Sequence, residues 1–385
     1  YTFLSNPEPG TIFENCEFRA IGIDGTRMEV SSDDGFSDVT FQNCRFTGPH
    51  GQITLAVGND TVKIINCSSF INIVSQVVHL SCNHIDGLFL LDPMTFPFLD
   101  ITITAPKAII NNYRIPEAFL ADEKNNGVID MNHMPSCIIS NSDFRTFENV
   151  GDNTIIENCN MYNVIDYLYI EGGLTMKNCN ISYTNPEYTN IQVDNTSEVP
   201  VPCNFTNVNF GRGQPSGINV YSSNNHFTDC IFSSLQIWGD GIKNLVTGCI
   251  CEGLIIHASR NLVTGCTVVG GGIAIEGDQN LITGCTFEDS PGWSPWIGIS
   301  ILGIGNMVAN CIINITAEST RVIEVQGTYT TISGCTVGKR GSATANIRVA
   351  AVASTGIVVM GCKIGGSITG TPLGAGNDVA NTLGW

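Results

Sequence analysis

A seven-residue phrase recurs along this chain and constrains its fold more than any other feature: Ile12-Phe13-Glu14-Asn15-Cys16-Glu17-Phe18 returns as Thr40-Phe41-Gln42-Asn43-Cys44-Arg45-Phe46. The same frame, a turn-forming residue followed by cysteine, reappears at Asn66-Cys67, Asn158-Cys159, Asn178-Cys179, Asp229-Cys230, Gly248-Cys249, Gly265-Cys266, Gly284-Cys285, Asn310-Cys311, Gly334-Cys335 and Gly361-Cys362. Ser142 after Asn141 and Val208 after Asn207 fill the cysteine slot in two further repeats. From Ser142 onward the intervals between slots run from 17 to 29 residues, averaging about 22. Short strands wound at such a period bury their inward side chains only by stacking each coil on the next. The residue before the slot is Asn, Asp or Gly, each of which tolerates a left-handed backbone, so the chain is expected to turn a corner there in every coil.

A leucine-rich horseshoe would need its own consensus and a helix per repeat, and a propeller a period near 40, so neither matches. The phrase and its period resemble the right-handed parallel β-helix of the pectin-lyase-like superfamily, which includes many phage tailspikes and polysaccharide-degrading enzymes. The resemblance covers nearly the whole chain. It implies an all-β solenoid of about 14–18 coils with an internal cysteine ladder, running over residues 1–385 as a single domain. Coils decorated by loops are expected over about 70–140, where the phrase blurs and Pro93, Pro97, Pro106, Pro116 and Pro135 fall, and regular coils over 142–370. Asn112-Tyr113 reads as a coil with Tyr in the slot, and about 17 coils at ~4.8 Å would make a body roughly 80 Å long.

Charge narrows the partners. Seventeen basic against 35 acidic residues give a formal −18, so a phosphate backbone is repelled and nucleic acid is not an expected partner. No uninterrupted apolar run of 18 exists; the stretch 296–315 is broken by Asn306, Asn310 and Asn314, and no membrane insertion is expected. The 16 cysteines never form the CxxC pairs of a zinc site and read as small buried hydrophobes, implying folding in a reducing compartment. Neither a metal nor another cofactor is expected. Tyr1-Thr2-Phe3-Leu4 shows no basic n-region, so no signal peptide is read there.

Candidate chemistry comes from aligning the slots. Nine residues before them stand Tyr221, Asp240, His257, Glu276, Leu302 and Gln326, flanked at ten and twelve before by mostly Ile and Val. By the period-2 rule the ninth and eleventh positions face outward. Glu171 and Asp194 extend the column. Glycoside cleavage commonly uses two carboxyl groups, and Asp240 and Glu276, two coils apart with His257 between them, have a spacing compatible with an inverting hydrolase. Glu171, Asp194, Asp240, His257 and Glu276 are therefore the candidate catalytic residues. Trp238, Tyr221, Trp293 and Trp296 are candidate sugar-binding aromatics. The competing view is that the column is only the last strand residue before a turn, solvated by default, with the cysteines in core packing.

A lyase would need acidic calcium ligands with a basic residue near the substrate, for which Lys243 and Arg260, each six before its slot, are the candidates. There is no phosphate loop, dinucleotide fingerprint or nucleophile elbow. The resemblance implies a tailspike-like homotrimer of the virion tail, folded in reducing cytoplasm and extracellular after lysis, that binds and hydrolyses a bacterial surface polysaccharide. A non-catalytic adhesive fibre and a polysaccharide lyase stand as alternatives. Should the column fail, Asp86, Asp92, Glu117, Asp122 and Asp130 are the next carboxylates to consider.

Overall fold

A computed structural model describes residues 3–5, 8, 10–19, 27–31, 39–48, 52–55, 62–71, 77–81, 84–90, 98–102, 107–114, 128–131, 133, 135–162, 167–170, 173–182, 190–194, 201–211, 217–239, 241–288, 299–315, 323–339, 347–349, 355–364, 368–370, 378–380 and 383–384. Among these residues every regular element is a strand and every pairing between strands is parallel. Parallel neighbours cannot be joined by a hairpin, so each strand pairs with its equivalent one coil later. The arrangement is consistent with a parallel β-helix. Two compact units are distinguished, one of Tyr1–Thr189 with Asn195–Val201, the other of Asn190–Asp194 with Pro202–Trp385.

In the second unit three ladders run in parallel. The first stacks Asn190–Val193, Gly217–Val220, Ile231–Ile237, Ile250–Ile256, Ile273–Ile275, Ile299–Ile301 and Ile323–Val325. The second stacks Asn204–Thr206, His226–Thr228, Leu245–Thr247, Leu262–Thr264, Leu281–Thr283, Met307–Ala309 and Thr331–Ser333. The third begins one residue past each slot and runs through Thr267–Val269, Thr286–Glu288 and Ile312–Ile315 to Thr336–Lys339. Alternation places Val246, Val263, Ile282 and Val308 inward, all buried.

The corner between the second and third ladders is as the sequence predicts. The residue before each slot read from the repeated phrase has a left-handed backbone, from Asn15 (φ 54°) through Gly265 (φ 64°) to Gly361 (φ 62°). Asn112 (φ 52°) joins them, with Tyr113 fully buried after it. Within the first unit Leu88 pairs in register with both Cys67 and Tyr113, so the blurred stretch after Cys67 holds slots at Leu88 and Tyr113 before Ser142. At most slots the strand does not run through the cysteine, as the repeated phrase suggests. At the slots from Cys159 onward it ends before the corner residue, and the slot residue begins the next side of the coil, whereas Val62–Ile71 and Ile109–Arg114 run on through Cys67 and Tyr113.

Fifteen cysteines are described, and none of them is in a disulfide. Each slot thiol donates to the carbonyl two residues back, as Cys266 Sγ does to Thr264 O at 3.5 Å and Cys311 Sγ to Ala309 O at 3.3 Å. Burial pushes the Cys67 thiol up to about 11, so it remains a neutral donor at physiological pH. Ser142 does the same with a hydroxyl, its Oγ donating to Ser140 O at 2.7 Å. A serine in a slot thus keeps a partner for its hydroxyl. Cys266→Ser should therefore cost only about 1 kcal/mol, mostly packing, in denaturant titration. A loss above about 3 kcal/mol would show that Thr264 O is out of reach.

A second ladder, of asparagines, lies inside the same unit. Asn225, Asn244, Asn261, Asn280 and Asn306 are each 1% exposed and sit five residues before successive slots. The amide oxygens of Asn244, Asn261, Asn280 and Asn306 each accept the backbone N–H of the asparagine one coil earlier, at 2.8 Å, and that of Asn225 accepts the Cys203 N–H at 2.9 Å. At this corner no strand partner exists for those N–H groups, and the side chain supplies it.

Candidate functional site

The outward column at the end of the first ladder is fixed by backbone register. Tyr221, Trp238, His257, Glu276, Leu302 and Gln326 each donate their N–H to the carbonyl one position earlier in the preceding coil: Val193, Val220, Ile237, Ile256, Ile275 and Ile301. Asp194 opens the column, since Val193 pairs with Val220. Trp238 therefore occupies the place that counting back from the slot gives to Asp240. The reason is local: the Trp238 coil carries two extra residues before its slot, in a turn closed by Gly241 N–H to Trp238 O at 2.7 Å. Asp240, in that turn, lies outside the described residues, as do Glu171, Trp293 and Trp296.

Four side chains on consecutive coils touch in sequence. Tyr221 and Trp238 are parallel at 11°, with centroids 6.2 Å apart. Trp238 and His257 are closer, 4.0 Å apart and 17° from parallel. His257 Nδ1 then meets Glu276 Oε2 at 2.7 Å. The coil spacing of ~4.8 Å explains why planar groups in one outward column stack on each other. Trp238 Nε1 donates to Asn219 Oδ1 at 3.1 Å, which fixes the rotation of the indole. One face of Trp238 is thus covered by the imidazole, and the offset toward Tyr221 leaves part of the other open. Tyr221 is 37% exposed, and the His257 and Glu276 side chains are 23% and 46% exposed.

The glycines after the column are set by the stack as well. A Cβ on Gly277 would lie 2.0 Å from Ala258 O, and one on Gly303 2.0 Å from Gly277 O, so the backbones of successive coils close up directly beside the column. That packing holds Glu276 and Leu302 at fixed positions on the rim.

The basic candidates sit elsewhere on the coil. Lys243 (φ 58°) and Arg260 (φ 61°) are exposed left-handed residues of a second corner, shared with Asn224, Gln279 and Tyr329. Arg260 Nε donates to Gln279 Oε1 at 3.1 Å. Asp194 and Glu276 are separated by four coils, ~19 Å, too far apart to act together across one glycosidic bond. Of the other carboxylates, Asp130 Oδ1 accepts from Asn149 Nδ2 at 2.9 Å. Asp86 lies in the strand His84–Leu90, with its side chain outside the described set, and Asp92, Glu117 and Asp122 are wholly outside it. No group of three or more His, Cys, Asp or Glu side chains suited to a metal ion occurs among the described residues.

No known protein family, curated protein or solved structure matches this chain. Residues and geometry carry the functional reading.

Proposed function

We propose that the chain is a right-handed, tailspike-like parallel β-helix that binds a bacterial surface polysaccharide along the Tyr221–Glu276 strip and hydrolyses it. The observation that carries this reading is the continuous run of Tyr221, Trp238, His257 and Glu276 on successive coils. A rigid outward row of ring edges ending in a carboxylate suits an extended polymer of polar rings. Glu276 keeps Oε1 available while Oε2 is held by His257, which orients the carboxyl group as an acid or base must be oriented. The partner carboxylate in this proposal is Asp240, two residues past Trp238 in the sequence and outside the described residues. The described cysteines, none of them in a disulfide, favour folding in a reducing cytoplasm, and virion release by lysis would bring such a chain to a cell surface.

Purified protein screened against bacterial capsules and O-antigens tests the reading. Hydrolysis raises reducing ends alone; a lyase also produces an ultraviolet-absorbing unsaturated product. Binding without either would support the adhesive-fibre reading, which the contacts already made by Trp238 and His257 within the strip favour.

The homotrimer belongs to the same proposal, and one face of the second unit supports it. From His226 to Met360 the outward positions of the second ladder carry no Asp, Glu, Lys or Arg, and Leu245, Leu262, Leu281 and Met307 stand in line. Copies of a chain at −18 repel one another except where charge is absent. Light scattering should give a multiple of the 41.3 kDa chain mass, and Leu262→Glu should return it to one chain. A monomer before the substitution would remove the assembly.

A further inference from the structure

We infer that the polysaccharide taken by this strip has repeating units without carboxylate, phosphate or sulfate groups; the inference deepens the polysaccharide reading and rests on it. The charges lining the first ladder decide it. From Asn190 to Gln326 its described outward positions hold four carboxylates, Asp194, Glu252, Glu276 and the buried Glu324, and no lysine or arginine; Arg348 stands one coil further on, in register with Glu324. His257 faces Glu276 on one side and Trp238 on the other, so its imidazole is engaged within the strip. Arg260, past the corner, is bound to Gln279.

An acidic polymer laid along this column would place its charges beside Asp194 and Glu276, with no lysine or arginine among the described ladder positions between them to meet those charges. Screening confines charge effects to about 8 Å at physiological salt, so local carboxylates outweigh distant cations. Each exposed contact is weak, yet a polymer repeats the unfavourable one with every unit. Uncharged sugars fare differently: their hydroxyls donate to free carboxylate oxygens such as Glu276 Oε1, and their C–H faces meet the part of Trp238 left open by Tyr221. The same inference favours hydrolysis over elimination here. A sugar without a C5 carboxylate has no acidified C5 proton for a lyase to remove.

The test is calorimetric or surface-based binding of the full chain to two groups of probes. One group is neutral: galactomannan and O-antigen polysaccharides without acidic sugars. The other is polyanionic: polygalacturonate, hyaluronate and a polyglycerol-phosphate teichoic acid. The expected result is binding within the neutral group, changed less than about threefold between low and physiological salt and weakened at least about tenfold by Trp238→Ala. Glu276→Lys, at an exposed position, is expected not to raise affinity for that ligand. Binding confined to polyanions, or a tenfold gain with Glu276→Lys, overturns the inference while leaving a polysaccharide-binding protein in place. Binding to neither group overturns the polysaccharide reading itself.

Discussion

Asn261→Leu is expected to lower the stability of the second unit by about 2–4 kcal/mol, with the branching of the side chain kept and its hydrogen bonds removed. Asn261 Oδ1 accepts the Asn244 backbone N–H at 2.8 Å, and its Nδ2 donates to Asn280 Oδ1 and Ser259 O, both at 3.2 Å. Leucine removes both functions. The Asn244 N–H, on a residue 1% exposed, is then left buried without an acceptor, the costly half of a broken hydrogen bond. Denaturant unfolding should show the loss. At the outer corner Asn178→Gly should move stability by no more than about 0.5 kcal/mol. There the left-handed backbone (φ 51°) suits glycine, and the bond lost to Asn158 Oδ1 is exposed. A loss for Asn261→Leu as small as that for Asn178→Gly would mean that water reaches the inner ladder and replaces the amide.

The second large effect concerns turnover. If the strip hydrolyses its polysaccharide, Glu276→Gln should lower turnover at least about a hundredfold, equivalent to about 2.7 kcal/mol of transition-state stabilisation. Glutamine keeps the size of the side chain and can still meet His257 Nδ1, but it cannot take or give a proton. Binding should change little, because the lost term belongs to the transition state. Asp240→Asn should lower turnover by a comparable factor if Asp240 is the partner group. Trp238→Ala should act mainly on binding. Steady-state kinetics on one defined polysaccharide separates these outcomes, and unchanged turnover in Glu276→Gln would remove this carboxylate from the chemistry.

The corner before each slot was legible in the sequence because a left-handed residue followed by a buried small one is a local demand, met by Asn, Asp or Gly whatever the rest of the coil does. The outward column was legible where coils keep one length, giving Tyr221, His257 and Glu276 their places; Asp194 joins it where the turn is longer, and Glu171, read ahead of it, lies outside the described residues. It failed at Trp238, because register is set by strand pairing and not by distance to the slot, and two added residues in one turn shifted the count onto Asp240. The contacts within the column were missed for a related reason. Groups from adjacent coils, such as His257 and Glu276, are 19 residues apart in sequence but neighbours in the stack. The asparagine ladder had a signal, Asn at five before five slots, but asparagine there reads as a turn former. Only the coil above shows that its amide replaces a missing strand partner.

The corner that carries the slot also determines where this architecture can change. In the second unit two residues, the left-handed one and the slot residue, separate the second ladder from the third in coil after coil, as at Gly265-Cys266 and Gly284-Cys285. Between the third ladder and the next strand of the first, length varies freely: 270–272 in one coil, 289–298 in the next, 316–322 after that. Most new material enters on this edge, with smaller additions such as the two residues after Trp238 elsewhere, while the slot corner keeps every coil in step. Foreign peptides grafted between Glu288 and Ile299 should therefore be displayed without shifting Glu276 or Leu302. A lineage of such chains could exchange its outward residues one coil at a time, revising recognition while the buried stack stays the same.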